Sequence, residues 1–440
     1  MSLTKMVCGD ATLGKTDLLI SNVNELIDKA APYSSAIWNQ NSDTMTSEGI
    51  QNGVTRVHSA MRRCVLLDNG TVNYYLDANN SALKADGTAA VLTGDDGQVM
   101  VEIPKCYVKA VYIQAGSSPI IEWSVSAEPK LGYVVHPAFT KDGNLVYSKP
   151  LGMWNYENVT KELDYIYVGA YQASVYDVSA GTYIDGLNLD NNIARVDVAN
   201  DKLASVSGKY PMVGLTRGEF RTLAAKRGAG WQQIDFWTHS LLQLLYTTEY
   251  RNLNSQAAVG NGNVSVASGY PASSSLQADS PHSVAGKSNA IGNGTGALAS
   301  TLKDTAWMSY RGIENFWGNC YVWCDGINIL DQVSFVNNTA TFVDNTSSGY
   351  TQLGVSAPAT NGYIRKIQAD TLSSIPSDVS GGSTLAFSDY YYQNVGWRVL
   401  AVGGNATNGG NAGAFLFFGI FVSGHRNRDF GGRLVFNKNL

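Results

Sequence analysis

Cys320 and Cys324 are the only two of the five cysteines that lie close in sequence, so they are where thiol or metal chemistry would start. In "GNCYVWCDG" the tract reads as a strand, which puts Cys320, Val322 and Cys324 on one face and Tyr321 and Trp323 on the other. On an extended strand their separation is too large for a direct disulfide. A zinc site needs two more ligands, and none is nearby. Buried small apolar side chains are the expected outcome. The five histidines (His58, His136, His239, His282, His425) are scattered, and no two stand at a metal-ligand spacing. His239 falls on an expected helix, where a structural role is expected. Asp325 in "WCDGIN" lacks the companion residues of a calcium site. The chain has no phosphate-binding glycine loop, no nucleophile elbow and no zinc-protease helix. The inventory therefore predicts no catalytic residue, no metal ligand set and no cofactor.

The chemistry left is recognition. "NAGAFLFFGIFVSGHRNRDFGG" (411–432) carries an apolar run, Ala414 to Val422, between an Asn/Gly stretch and a loop rich in Arg. Both faces of 414–422 are apolar, so alternation alone does not say which side chains are core. Phe415, Gly413, Gly431 and Gly432 are expected in the core, the glycines because they let backbones approach closely. Thr407, Asn408, Asn411, Phe418, Ile420, Phe421, Gly424, His425, Arg428 and Asp429 are expected to form an outward binding face. An aromatic patch rimmed by Arg and His has the make-up of a protein-recognition hot spot.

The elements that must position this face are a mixture of strands and a few helices. Residues 16–31 place Leu19, Ile20, Val23, Leu26, Ile27 and Ala30 at helical spacing before Pro32, followed by a polar link from Asn39 to Asn52. From 54 to about 150 the pattern is β. "RRCVLLDNGTVNYYL" reads as a hairpin around Asp68-Asn69-Gly70, and Val99, Val101 and Ile103 alternate as on a half-buried strand. Thr216 with Glu219 makes a capping box for a helix that buries Phe220, Leu223 and Ala224 and stops at Gly228. Asp235 caps a second helix, with Leu241, Leu242, Leu245 and Tyr246 buried. Residues 257–300 are rich in Gly, Ser, Ala and Asn and read as a long functional or mobile loop. The expected class is α+β. Its expected parts are an N-terminal helix and linker (1–53), a β-rich domain (54–150) and a ligand-binding domain (151–440).

Composition narrows the function. Only 15% of the 440 residues are charged, against about a quarter in ordinary domains, and 45 are glycine. The net charge of −5 gives no electrostatic reason to bind nucleic acid. No signal-peptide core and no membrane-spanning run occurs, so synthesis in the cytoplasm without membrane insertion is expected.

"YRGIENFWGNCYVWCDGINI", "GWRVLAVGG" and "GGRLVF" resemble the C-type-lectin fold in its formylglycine-generating-enzyme variant. In that family a strand close to G-N-V-W-E-W precedes a terminal segment ending in G-F/A-R. Gly318, Asn319, Trp323, Gly432 and Arg433 match it, and "TRGEFRTLAAKRGAGWQQIDF" sits where the family carries its R-L-P-T-E-A-E-W helix. The C-terminal segment, about 397–436, resembles the variable region of proteins diversified by a retroelement, as in phage tropism determinants. "RRCVLLDNGTVNYYLDA", "DGQVMVEIPK", "HPAF" and "GWQQIDFWTHSLLQLLYTTEY" resemble tail fibres of phages of gut Bacteroides. Formylglycine-generating enzymes keep reactive cysteines in the last strands, and this chain has none after Cys324. The fold without the enzyme chemistry is what the resemblance implies.

The tail has a matching compositional signature. Lys, Glu, Gln, Met and Trp make up 58 of the 440 residues, which predicts about five among the 38 residues 399–436, and there are none. Adenine-directed mutagenesis of Asn codons cannot produce those five. The expected function is non-enzymatic receptor binding in a phage virion, with a bacterial surface protein or glycan and other tail or baseplate proteins as partners. A homotrimer is expected, because the stripe on 16–31 has no evident partner and the related fibres are commonly trimeric. The alternative is an enzyme, either sulfatase-modifying or acting on surface glycans. A host adhesin would need an export signal.

Overall fold

The computed structural model describes residues 32–266, 280–302 and 304–438, and the expected helix at 16–31 lies outside them. The fold is mixed and mostly sheet, with several antiparallel sheets. The stretch read as helix and linker already belongs to the body of the protein by residue 33. Tyr33–Asn39 is a strand paired along its whole length with Ile120–Ser126, and Ser34, Ser35, Ala36 and Trp38 are buried. The expected polar link after it contains the short strand Thr44–Thr46, which pairs back onto the same element.

A six-stranded sheet runs in the order Trp231–Gln233, Leu434–Asn437, Tyr165–Gly169, Gln98–Pro104, Arg62–Leu66 and Val72–Tyr75. The hairpin around Gly70 forms as the sequence predicts, with Cys64 opposite Tyr75. Strands from both sides of residue 150 share this one sheet, so the expected boundary there crosses a continuous hydrogen-bonded surface. The closing strand Leu434–Asn437 lies antiparallel to Tyr165–Gly169, which brings two segments remote in sequence together. Gln98–Pro104 differs from the half-buried expectation. Val99, Val101 and Ile103 enter one core cluster and Met100 the other, because this strand is central and covered on both faces.

Both capped helices form. Thr216 Oγ1 accepts the Glu219 N–H at 3.2 Å while Glu219 Oε2 accepts the Thr216 N–H at 2.7 Å, starting helix Arg217–Ala225. Asp235 Oδ1 accepts the Thr238 N–H at 2.9 Å and starts Phe236–Tyr250. Residues 236–248 of this second helix are buried on every side, so it is the central rod of the larger core and not an amphipathic surface helix.

An eight-stranded sheet lies on that rod. Its main path is Thr351–Ser356, Val333–Val336, Tyr321–Leu330, Trp397–Val402, Phe417–Phe421, Tyr390–Gln393 and Gly362–Tyr363, and Phe430–Gly431 pairs in parallel with Tyr321–Val322. One face, with Val322, Cys324 and Phe417, packs on the larger core. The other, with Tyr321, Trp323, Val399, Ala401 and Phe418, belongs to the second cluster.

The stretch 257–300 departs from a long open loop. Residues 267–279 lie outside the described residues, but Ser280, His282, Ser283 and Ser288 are buried. Glu314 accepts the N–H groups of Gly286 (2.8 Å) and Ser288 (2.6 Å), and Arg63 Nη2 donates to Ser288 Oγ at 2.7 Å. Small polar residues here satisfy buried charge instead of forming an exposed loop. Arg433 plays the same part at the chain's end. It is buried and donates to the carbonyls of Gly169 (2.7 Å), Glu314 (2.7 Å) and Asn315 (2.8 Å), and burial pulls its pKa down to about 10.

Candidate ligand-binding face

On the second-cluster face of the eight-stranded sheet the rings form a layered aromatic stack that runs out to the surface at Phe421 and His425. At its base Trp323 lies on Phe430 (centroids 4.4 Å, planes 20° apart) and Phe430 on Tyr321 (4.8 Å, 20°). Phe418 sits 4.6 Å from both Tyr321 and Tyr392. Above it is Phe421, 5.4 Å from Phe418 and edge-on to Phe430 at 5.2 Å. The His425 imidazole lies flat on Phe421 at 3.6 Å with planes 3° apart. The base is buried, whereas Phe421 and His425 are half-buried and form the top of the stack. Burial lowers the His425 pKa against the pull of Asp190, so the ring is neutral at pH 7.

The backbone under this face is fixed by groups outside it. Ala406 donates to Asn319 O and accepts from Val266, and Gly409 donates to Val264 O. Gln256 Nε2 binds the carbonyls of Gly409 and Ala412. On the other side, Asn427 O accepts from Gly214 and Asp429 O from Tyr321. The first turn of helix Arg217–Ala225 ties in the loop directly: Arg426 Nη2 reaches Glu219 Oε1 at 2.7 Å. The same turn holds the neighbouring loop, because Arg217 and Arg221 both grip Asp344, and Asn345 Nδ2 donates to Ser423 Oγ at 2.6 Å. Asp325 is consumed here too, held by Arg221 through two bonds of 2.6 Å.

Glycines separate frame from face. A side chain at Gly413 would collide with the Asp389 carboxylate, at Gly431 with Cys320 Sγ (2.8 Å), and at Gly432 with the Phe220 ring (2.7 Å). These are the close approaches that the sequence predicts. At Gly410 and Gly424 a Cβ would meet nothing within 4 Å, and neither has a positive φ. A Cβ is accommodated there with no clash and no left-handed backbone.

Of the ten expected face residues, Thr407 and Gly424 are exposed, and Asn408, Asn411, Ile420, Phe421, His425, Arg428 and Asp429 are half-buried. Phe418 is the correction: only 8% exposed, it is packed into the stack and does not point outward. Two others are partly committed to structure. Asn408 Oδ1 accepts the Asn405 N–H at 2.9 Å, and Asn411 Nδ2 donates to Tyr392 OH at 3.3 Å. Phe415 is core, as expected. The sequence reading did not find Tyr390 and Tyr392, which extend the aromatic surface toward Tyr363 with centroids 4.6 and 4.9 Å apart. The run "DYYYQ" was the available signal, since strand alternation sends Tyr391 inward and its two neighbours outward.

Cys64, Cys106, Cys320 and Cys324 are free and buried, and burial pushes the Cys320 and Cys324 thiols far above their ordinary range. His136, His239 and His282 are buried with pKa values pulled down to about 3. His58 is buried between Thr55 and the Leu245 carbonyl, where its ring takes the acidic residue's place in a capping box. Among the described residues no group of three His, Cys, Asp or Glu could hold a metal ion, and no helix is long and apolar enough to cross a membrane.

No family model and no curated protein matches the chain. Among solved structures it is similar to one described as "Major Tropism Determinant P3c Variant", with 9% identity and a TM-score of 0.27 over 92% of this chain and 72% of that one. A likeness at that level carries no weight for fold or function.

Proposed function

We propose that this chain is a non-enzymatic receptor-binding protein of a phage tail, whose 406–429 face docks on a bacterial surface protein or glycan. The observation that carries this reading is the contrast between frame and face. The backbone of both loops is fixed by partners outside them, while half-exposed Phe421, Ile420, His425 and Arg428 and the open positions Gly410 and Gly424 form the surface. A diversified face requires such a backbone.

The C-type-lectin scaffold is part of the proposal, supported by the closing strand's pairing with Tyr165–Gly169 and the two helices between them. Diversification by a retroelement is supported by the composition of 399–436. Buried thiols of raised pKa weigh against the enzyme reading, because a thiol mechanism needs an accessible, low-pKa cysteine. Placement in the virion, contacts with other tail or baseplate proteins and a homotrimer complete the proposal. Three copies would turn weak single sites into avid attachment.

Flow cytometry of the fluorescently labelled chain on a panel of gut Bacteroides strains tests the reading. Binding to at least one strain, saturable and competed by unlabelled protein, is expected, and binding to none contradicts it. Light scattering tests the assembly separately: a monomer mass for the full chain rules out the trimer.

A further inference from the structure

A cavity of about 410 Å³ opens on the six-stranded sheet and shares no lining residue with the 406–429 face. Arg62, Glu102 and Tyr167 stand directly opposite one another on three neighbouring strands. Glu102 is buried, and both of its oxygens are used. Oε1 accepts from Arg62 Nε (3.1 Å) and Nη2 (3.0 Å), and Oε2 accepts from the hydroxyls of Tyr75 and Tyr167 (2.9 Å each). The Arg62 guanidinium lies 3.5 Å over the Tyr75 ring. Glu162 and Asp164 are held from outside the lining by Lys105 (2.7 and 3.1 Å), and Tyr165 and Lys438 complete the lining.

Two features define the ligand. The lining carries Arg62 and Lys438 against Glu102, Glu162 and Asp164, and the adjoining Lys105 pairs with both Glu162 and Asp164, so the cavity together with this neighbour has no net charge with which to draw an ion. The hydrogen-bonding groups are nevertheless dense and fixed. With their protons committed to Glu102, the Tyr75 and Tyr167 oxygens present lone pairs, and Arg62 Nη1 and Lys438 present donors. Tyr165, 45% exposed, adds an apolar ring face. Planar donors and acceptors beside an aromatic ring suit vicinal hydroxyls and the C–H face of a pyranose, and the volume is that of a small-molecule site, roughly 300–1,000 Å³.

We propose that this cavity binds a neutral saccharide of mono- or disaccharide size, as a site separate from the receptor-binding face and independent of that reading. Saturation-transfer difference NMR on the full chain tests it, with maltose, cellobiose and lactose as neutral probes and digalacturonate as a charged one. Transfer to the ring protons of at least one neutral disaccharide is expected, persisting in high salt and lost in Tyr165→Ala. Lys438→Ala, at an exposed position, gives the same reading should Tyr165→Ala fail to fold. Phe421→Ala on the other face should leave the signal unchanged. Absence of transfer to all three neutral probes, transfer to digalacturonate alone, retention of the signal in both cavity variants, or its loss in Phe421→Ala would each overturn the proposal.

Discussion

Glu219 and Arg426 form an ion pair of 2.7 Å that joins a helix cap to the recognition loop. Glu219 uses one carboxylate oxygen to complete the capping box with Thr216 and the other to hold the guanidinium. The helix dipole favours a negative charge at this first turn, so the carboxylate is held there whatever the loop does. The loop takes its position from an element that folds on local rules.

Arg426→Ala is predicted to loosen the loop without unfolding the protein. The pair is partly exposed, with side chains 30% and 17% accessible, so its loss should cost no more than about 1 kcal/mol. Hydrogen exchange should speed up within 422–430 and stay unchanged in helix Arg217–Ala225. Equal acceleration in both would mean that the helix depends on the loop.

The glycine positions give a paired prediction. Gly424→Ser should change stability by less than about 0.5 kcal/mol, because the new side chain enters solvent. Gly413→Ala should cost about 2 kcal/mol or more, because its methyl group must displace the Asp389 carboxylate. Urea unfolding of the two variants compares them directly, and equal costs would remove the distinction between frame and face.

The limits of what could be read from the sequence follow from range. The hairpin at Gly70 and the caps at Thr216 and Asp235 depend on residues two to four positions apart, and each forms as read. Phe418 failed because Ala414 to Val422 is apolar on both faces. Its direction is decided by pairing with Tyr392 on one side and Ala401 on the other. The role of Arg426 is not legible locally, because its partner lies 207 residues away. The strand Tyr33–Asn39 reads as the end of a helix-and-linker segment because its partner, Ile120–Ser126, is also remote in sequence.

Asp389 predicts a pH dependence. Burial raises its pKa from 3.8 to about 8, although the Phe415 N–H at 2.6 Å opposes the shift. The folded state therefore holds a proton that the unfolded chain releases above its ordinary carboxyl range. Its stabilisation is complete below pH 3.8 and is lost as pH rises through about 8. Asp389→Asn should flatten the stability profile between those limits. An unchanged slope in the variant would mean that Asp389 is ionised in the fold.

Cys320→Ser with Cys324→Ser should leave cell binding intact and lower stability, by about 1–3 kcal/mol for each hydroxyl left unpaired. Loss of binding at an unchanged melting temperature would instead favour thiol-based function.

Arg433→Ala should cost about 3 kcal/mol or more, because the carbonyls of Gly169, Glu314 and Asn315 lose their donor together inside the core. Chemical denaturation measures it, and a cost below about 1 kcal/mol would mean that water replaces the guanidinium.

The central claim is that a fixed frame presents a replaceable face. The direct test substitutes Thr407, Ile420, Phe421, His425 and Arg428 together with alanine and measures binding to a strain that the unaltered chain recognises, alongside the thermal melt. The account predicts that binding is abolished while the melting transition stays cooperative and close to that of the parent. Retained binding, or loss of binding only together with loss of the cooperative transition, would contradict it.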